Sequence, residues 1–321
     1  MRQVLPKKIL KTKLRQFPFD FLTVIAALIA ANLLVGSFSE QNIRQKSFEK
    51  ISNQLECNEP LDRSLVILGD SRSARIDKNI LAEAMGLNPD LCLNLSINSG
   101  CWVSSFSLLS KSNENLSENT KVLLCLSEYW LERPNLQDQS GFLSALDTYL
   151  TLGLYRDALS SILPLSAKRG SIVNKVRQWG ESPFREGAEN PVLDSPKFKG
   201  MLKSNIDLWF PPIQQEQLAE NRDSADHILG KLKELAPNLV LLYLPNAKIR
   251  ESYVDAHFPI RRKRFLAEIE RLAAKHEFTF INLSGQMAED HLYADFHHWN
   301  RTGVKIGTEI IAESLNTISR E

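Results

Sequence analysis

Five short, almost unbroken apolar runs limit what this chain can fold into: Leu65–Leu68, Leu91–Leu95, Val122–Leu126, Leu239–Leu244 and Phe278–Leu283. None alternates apolar with polar residues, as a strand with one wet face does. Continuous runs suit strands buried on both faces, the environment of a parallel sheet. Segments with helical periodicity follow them: Asp77–Met85, Val103–Leu109, His257–Lys275 and Thr302–Ile318. Asp77 and Thr302 are plausible N-caps. The alternation predicts an α/β fold, a parallel sheet with helices on both faces.

The third and fourth runs are separated by Glu128 to Asn238, far too long for a simple crossover. We read a long helical insert at about 131–236, with Phe142–Ile162 as its best helix. Gly180 to Pro212 is rich in Pro, Gly, Ser and charge and reads as loop. An insert at the carboxyl ends of strands would overhang the crevice where open α/β sheets bind ligands.

The N-terminal region has a different character. Arg2, Lys7, Lys8, Lys11, Lys13 and Arg15 crowd the first fifteen residues without an acid among them. An uncharged span, Phe21 to Phe38, follows. Its length roughly matches the ~20 apolar residues that cross a bilayer as a helix. The expected organisation is a cytoplasmic basic tail (1–16), a transmembrane anchor (17–38), a stalk (39–63) and an exported domain (64–321). Length favours a retained single-pass anchor over a cleaved signal peptide, although Ala30, Ala31, Gly36 and Ser37 suit cleavage.

Formal net charge is +1, so the chain lacks the basic excess of a nucleic-acid binder. On the exported side Cys57, Cys92, Cys101 and Cys125 can form disulfides, but Cys92 and Cys125 fall inside expected strands, where a small buried thiol is the simpler role. No spacing resembles a zinc ligand set, so no metal site is expected. His227, His257, His276 and His291 are isolated and read as surface or helix-end residues. Arg261-Arg262-Lys263-Arg264 reads first as a solvated helix face, and second as a contact for anionic lipid or polysaccharide. Asn115-Leu116-Ser117 and Asn300-Arg301-Thr302 match glycosylation sequons.

The first apolar run stops at Gly69-Asp70-Ser71, so the Ser71 hydroxyl would project at the carboxyl end of a strand. Near the other end stands Asp295-Phe296-His297-His298. Asp295 and His298 are one helical turn apart, so the carboxylate can hold the imidazole Nδ1–H and leave Nε2 for a serine proton. His297 is the competing imidazole on the same loop. Alone, a Gly-Asp-Ser corner is ordinary turn chemistry. A strand-end serine with a paired Asp and His supplies the parts of a nucleophile system.

These two blocks, with Asn300 and Gly303 ahead of the last helix, resemble the GDSL/SGNH hydrolase superfamily. The resemblance implies a flavodoxin-like sheet, with Ser71 as nucleophile, His298 as base and Asp295 as its orienting partner. It implies no cofactor. The middle blocks depart from the family. Ser96 occupies the glycine position of the second block, Asn94-Leu95-Ser96, which continues through Asn98 to Gly100. The third block reads Ser127-Glu128-Tyr129-Trp130 and lacks the family's asparagine donor. Ser96, Asn98, Gly100 and Trp130 are the oxyanion or substrate-binding candidates. Losing one oxyanion donor costs roughly 3–4 kcal/mol of transition-state stabilisation.

An N-terminal anchor, an exported SGNH-like domain and a Ser-x-x-Trp third block are similar to the accessory SGNH-like proteins of cell-envelope O-acylation. These include the D-alanine transfer protein of teichoic acid modification and the alginate O-acetylation proteins. That similarity implies acyl transfer to an envelope polysaccharide beside a multispanning membrane-bound O-acyltransferase. Two rival functions use the same chain. One is a plain esterase. The other is a catalytically degenerate SGNH fold acting as a glycan-binding or scaffold subunit.

Overall fold

The computed structural model describes residues 48, 50–52, 55, 63–98, 100–112, 116–132, 148–153, 196–210, 212–287 and 289–318. All belong to one compact unit, Ile43–Tyr155 with Ser182–Glu321. The expected basic tail and membrane span, Cys57, and most of the stalk and insert lie outside the described residues. Among the described residues no helix is long and apolar enough to cross a membrane.

The five apolar runs form one parallel sheet: β1 (Arg63–Leu68), β2 (Cys92–Asn94), β3 (Leu116–Leu126), β4 (Leu239–Tyr243) and β5 (Thr279–Asn282). Their order is β2-β1-β3-β4-β5. This is the flavodoxin-like order, in which the winding reverses between β1 and β3 and opens a crevice at their carboxyl ends.

Seven helices of seven residues or more accompany the sheet among the described residues: α1 (Lys78–Ala84), α2 (Trp102–Lys111), α3 (Pro196–Trp209), α4 (Gln215–Leu235), α5 (Lys248–His257), α6 (Pro259–His276) and α7 (Arg301–Ile318). Asp77 caps α1, its Oδ1 accepting from the Asn79 and Ile80 N–H groups at 2.9 and 3.3 Å.

The parallel register assigns the two faces of the sheet. Leu65, Ile67, Leu123, Cys125, Leu242 and Ile281 share one face with Leu81 of α1 and Ile311 and Leu315 of α7. The alternate residues Val66, Leu68, Val122, Leu124, Leu241 and Tyr243 are also buried. There Phe265 of α6 packs on Tyr243 with ring centroids 5.5 Å apart, and α4 lies against α2 and α6. Burial on both faces is why the central strands β1, β3 and β4 lack alternation in their apolar runs. Each fully buried leucine or isoleucine contributes about 1.5–3 kcal/mol. Cys92 and Cys125 are buried free thiols, and burial raises the pKa of both.

Several sequence expectations change. Thr302 is not the cap of α7. Asn300 caps it instead, its Oδ1 accepting from Gly303 N–H at 2.9 Å, while its Nδ2 donates to His291 O at 2.6 Å. That engaged amide serves as a cap rather than an open glycan acceptor. The stretch read as loop contains α3, which buries Leu202, Ile206 and Phe210 at helical spacing. The end of the expected helical insert is α4, a 21-residue helix leading directly into β4. Of the expected helix Phe142–Ile162, residues 148–153 are described, and helix gives way to a turn at Leu152 and Gly153. The basic run is only partly a solvated face, with Lys263 exposed. Arg261 donates to Phe210 O at 2.6 Å, and Arg262 pairs with Glu251 and Asp255.

Candidate active site

At the end of β1 the chain turns through Gly69, whose φ is +145°. A Cβ there would collide with Ser73 Oγ and the Cys125 carbonyl, so glycine alone fits. After this turn Asp70 is buried, whereas Ser71 is only partly covered. A short 3₁₀ turn, Ser73–Arg75, carries the chain on towards α1.

The loop before α7 brings the second half of the site to this corner. His298 Nε2 lies 2.7 Å from Ser71 Oγ, across 227 residues of sequence. His298 Nδ1 lies 2.6 Å from Asp295 Oδ2. Asp295 Oδ1 accepts the backbone N–H groups of His297 and His298 at 2.9 and 2.8 Å. The carboxylate is therefore locked by its own loop before it touches the ring. Burial works against its charge, but His297, His298 and the backbone donors outweigh burial and hold the carboxyl well below the usual range.

His297 has a different place. Its ring packs 4.0 Å from that of His298, and its Nδ1 is 3.6 Å from Asp295 Oδ1. Burial pushes its pKa well below the ordinary value, and His298, Arg250 and Arg72 add to the effect against the pull of Asp295. It lies beside the dyad. Of the two imidazoles, His298 is the one that reaches Ser71.

Beneath the serine lies a buried polar network that the sequence reading missed. Asp70 accepts the Arg72 N–H at 2.9 Å and the Tyr129 hydroxyl at 3.2 Å, and it is also bonded by Ser127 Oγ. The Arg72 guanidinium reaches Asn246 Oδ1 at 3.2 Å, Ser127 Oγ at 2.5 Å and the Leu126 carbonyl. Glu128 takes a two-pronged contact from Arg250, at 3.1 and 3.2 Å, and a 2.5 Å bond from Tyr243. Against burial, Arg250 and Arg72 hold the Glu128 carboxyl at about 2. Polar residues just past β1, β3 and β4 were the available signal, since strand carboxyl ends converge at one crevice.

The other sequence candidates have mixed placements. Ser96 is 5% exposed, its N–H donates to Asn94 Oδ1 at 3.1 Å, and its hydroxyl is buried without a partner. Asn98 is exposed. Gly100 packs against Gly69, and a Cβ there would collide with the Gly69 carbonyl. Trp130 is 2% exposed and meets Trp102 edge-on at 4.9 Å, a core position. Among the described residues none of these four bonds to Ser71 or His298. At the third-block asparagine position, Tyr129 directs its hydroxyl to Gly100 O at 3.0 Å and to Asp70. Among the described residues no acceptor takes the Ser71 N–H, which leaves it as a donor at the nucleophile.

Asp295, His297 and His298 offer ligand atoms within 4.8 Å of one another, a set that could hold a metal ion. Asp295 Oδ2 and His298 Nδ1 are already bonded to each other, so a metal there would compete with the dyad. As it stands, the arrangement is a hydroxyl, an imidazole and a carboxylate in series. Such a series moves a proton off the hydroxyl as it attacks a carbonyl.

No protein-family model matches the chain. No curated protein matches it either. Among solved structures, the crystal structure of phospholipase A1 from Streptomyces albidoflavus NA297 is similar at 12% identity and a TM-score of 0.36, over 78% of this chain and 98% of that one.

Proposed function

We propose that this chain is a serine esterase or O-acyltransferase of the SGNH type that works through an acyl-Ser71 intermediate. The observation that carries this reading is the continuous hydrogen-bonded series from Ser71 Oγ through His298 to Asp295, at 2.7 and 2.6 Å. In the first half-reaction His298 Nε2 takes the Ser71 proton while Oγ attacks the ester carbonyl. Asp295 stabilises the imidazolium that forms. The oxyanion accepts from Ser71 N–H. His298 then gives its proton to the departing alkoxide, leaving the acyl group on Ser71. In the second half-reaction a water or a sugar hydroxyl attacks that ester, and the same imidazole removes and returns one proton.

Transfer rather than hydrolysis is the more specific part of the proposal. With Tyr129 turned to Asp70 and the Ser96 N–H turned to Asn94, the oxyanion site has fewer donors than an efficient esterase uses. Slow hydrolysis suits an enzyme that must hold its acyl group until an acceptor arrives. The proposed setting is outside the cytoplasm on a single-pass anchor, beside a multispanning O-acyltransferase, with an envelope polysaccharide as acceptor. The basic N-terminal residues and the uncharged Phe21–Phe38 span support that setting. The same missing donors favour a second reading, a scaffold subunit that keeps the fold without turnover.

Labelling separates the two. Purified full-length protein is treated with a serine-directed fluorophosphonate, and the adduct is mapped by mass spectrometry. Reaction at Ser71, abolished in Ser71→Ala with little change in melting temperature, is the expected result, because an unactivated serine is a poor nucleophile. A folded protein that stays unlabelled at Ser71 would replace the catalytic reading with the scaffold. A reporter fused after Glu321 should be active outside the cytoplasm; cytoplasmic activity would remove the exported setting.

A further inference from the structure

Arg75 ends the 3₁₀ turn that starts two residues after Ser71. Its side chain is exposed, and Nη1 donates to the Trp299 carbonyl at 3.1 Å. Trp299 is the residue after His298, so this guanidinium spans from the nucleophile's turn to the loop that carries the base. A guanidinium has five N–H donors in a planar fork. Among the described residues that bond is the only side-chain hydrogen bond Arg75 makes, and no carboxylate there pairs with it.

The charges around it contrast with this. Asp70 is paired with Arg72, and Glu128 with Arg250. Glu251 is paired with Arg262, and Asp295 is held by the histidine loop. Asp77 spends its carboxylate on the first turn of α1. The three acid–arginine pairs are internally compensated, and the Asp77 and Asp295 carboxylates are taken up by N–H donors of their own loops. Arg75 is an exposed cation on the turn that follows the reacting serine, tied to the loop of the base, and its open donors match the geometry of a carboxylate or phosphate.

We infer that Arg75 binds an oxyanionic group carried by the substrate, so that the preferred substrates of this site are esters bearing a carboxylate or phosphate near the scissile bond. The inference rests on the acyl-Ser71 reading and gives that site a substrate class. The anion docks by its charge and fork geometry, and the ester carbonyl is thereby placed at Ser71 Oγ. Arg75 takes no part in proton transfer.

The test compares three aryl esters with acyl chains of equal length: butyrate, hemisuccinate and 3-phosphonopropionate. With wild-type protein at low ionic strength, kcat/KM should favour the anionic esters by about tenfold or more, the scale of a hydrogen bond to a charged group. Arg75→Gln should collapse that ratio, chiefly through KM, and Arg75→Lys should keep part of it. Added salt should shrink the wild-type preference. Whichever anionic ester is more favoured identifies the group that is read. A ratio unchanged in Arg75→Gln overturns the inference, as does a parallel loss on all three esters, which would make Arg75 a structural tie alone. Binding of the hemisuccinate ester to Ser71→Ala protein, measured by calorimetry, makes the test independent of turnover. There too Arg75→Gln should weaken binding about tenfold if the inference holds. Failure of wild-type protein to label at Ser71 would instead overturn the acyl-serine reading, whatever the calorimetry gives.

Discussion

Asp295→Asn is the substitution whose outcome the geometry fixes best. Asp295 Oδ1 accepts two backbone N–H groups, at 2.9 and 2.8 Å, and Oδ2 faces His298 Nδ1 at 2.6 Å. An asparagine has one acceptor oxygen and one NH₂ to share between these places. Turning the NH₂ toward the backbone would leave two buried N–H groups without acceptors, at about 1–3 kcal/mol each. The oxygen therefore stays with the backbone, and the NH₂ points at His298 Nδ1. That forces the tautomer in which Nδ1 accepts and Nε2 carries the proton. Nε2–H then faces Ser71 Oγ as a donor and cannot take its proton. The expected loss in kcat is about 10⁴-fold, or ~5.5 kcal/mol, the scale known for the wrong tautomer in such triads. The loop bonds persist, so the melting temperature should move little. The assay is kcat on an aryl acetate together with the rate of fluorophosphonate labelling at Ser71. Activity within tenfold of wild type, with the fold intact, would refute the claim that Asp295 sets the His298 tautomer.

The two imidazoles should separate in the same labelling assay: His298→Ala abolishes reaction at Ser71, whereas His297→Ala retains much of it, and the reverse result would reassign the base. The pH dependence of kcat/KM should show an acid limb with a slope of about one. Asp295 is held well below the usual carboxylate range and stays ionised there; an acid limb that followed an ordinary carboxylate titration would mean that Asp295 is not held in this way. Glu128→Ala and Arg250→Ala should each cost about 3–5 kcal/mol by denaturant titration, because each strands a buried charge, and the double substitution should cost less than the sum. The Glu128 carboxyl lies at about 2 instead of 4.5, so its stabilisation is present above pH 4.5 and is lost as pH falls toward 2; stability that does not decline in that window would contradict the pairing.

What the sequence determined by itself was local and periodic. Five nearly unbroken apolar runs marked five strands, of which β1, β4 and the Val122–Leu126 part of β3 are buried on both faces, because such strands need no alternation. Gly69-Asp70-Ser71 marked a strand-end corner, and the spacing of Asp295 and His298 allowed a carboxylate–imidazole pair within one loop. Short-range rules went wrong where two local signals competed. Asn300 rather than Thr302 caps α7 because its amide reaches Gly303 N–H and the His291 carbonyl together. The apolar spacing of Leu202, Ile206 and Phe210 outweighed a loop-like composition in α3. Tertiary structure alone decided which residues meet. His298 rather than His297 reaches Ser71, although both imidazoles lie on the same loop. Arg72 joins Asn246 across 174 residues, and Arg250 joins Glu128 across 122. Buried charges like these look in sequence like any polar residue after a strand. Their pairing arises when parallel packing brings the carboxyl ends of β1, β3 and β4 to one place, where the cost of desolvation is offset by partners far apart in the chain.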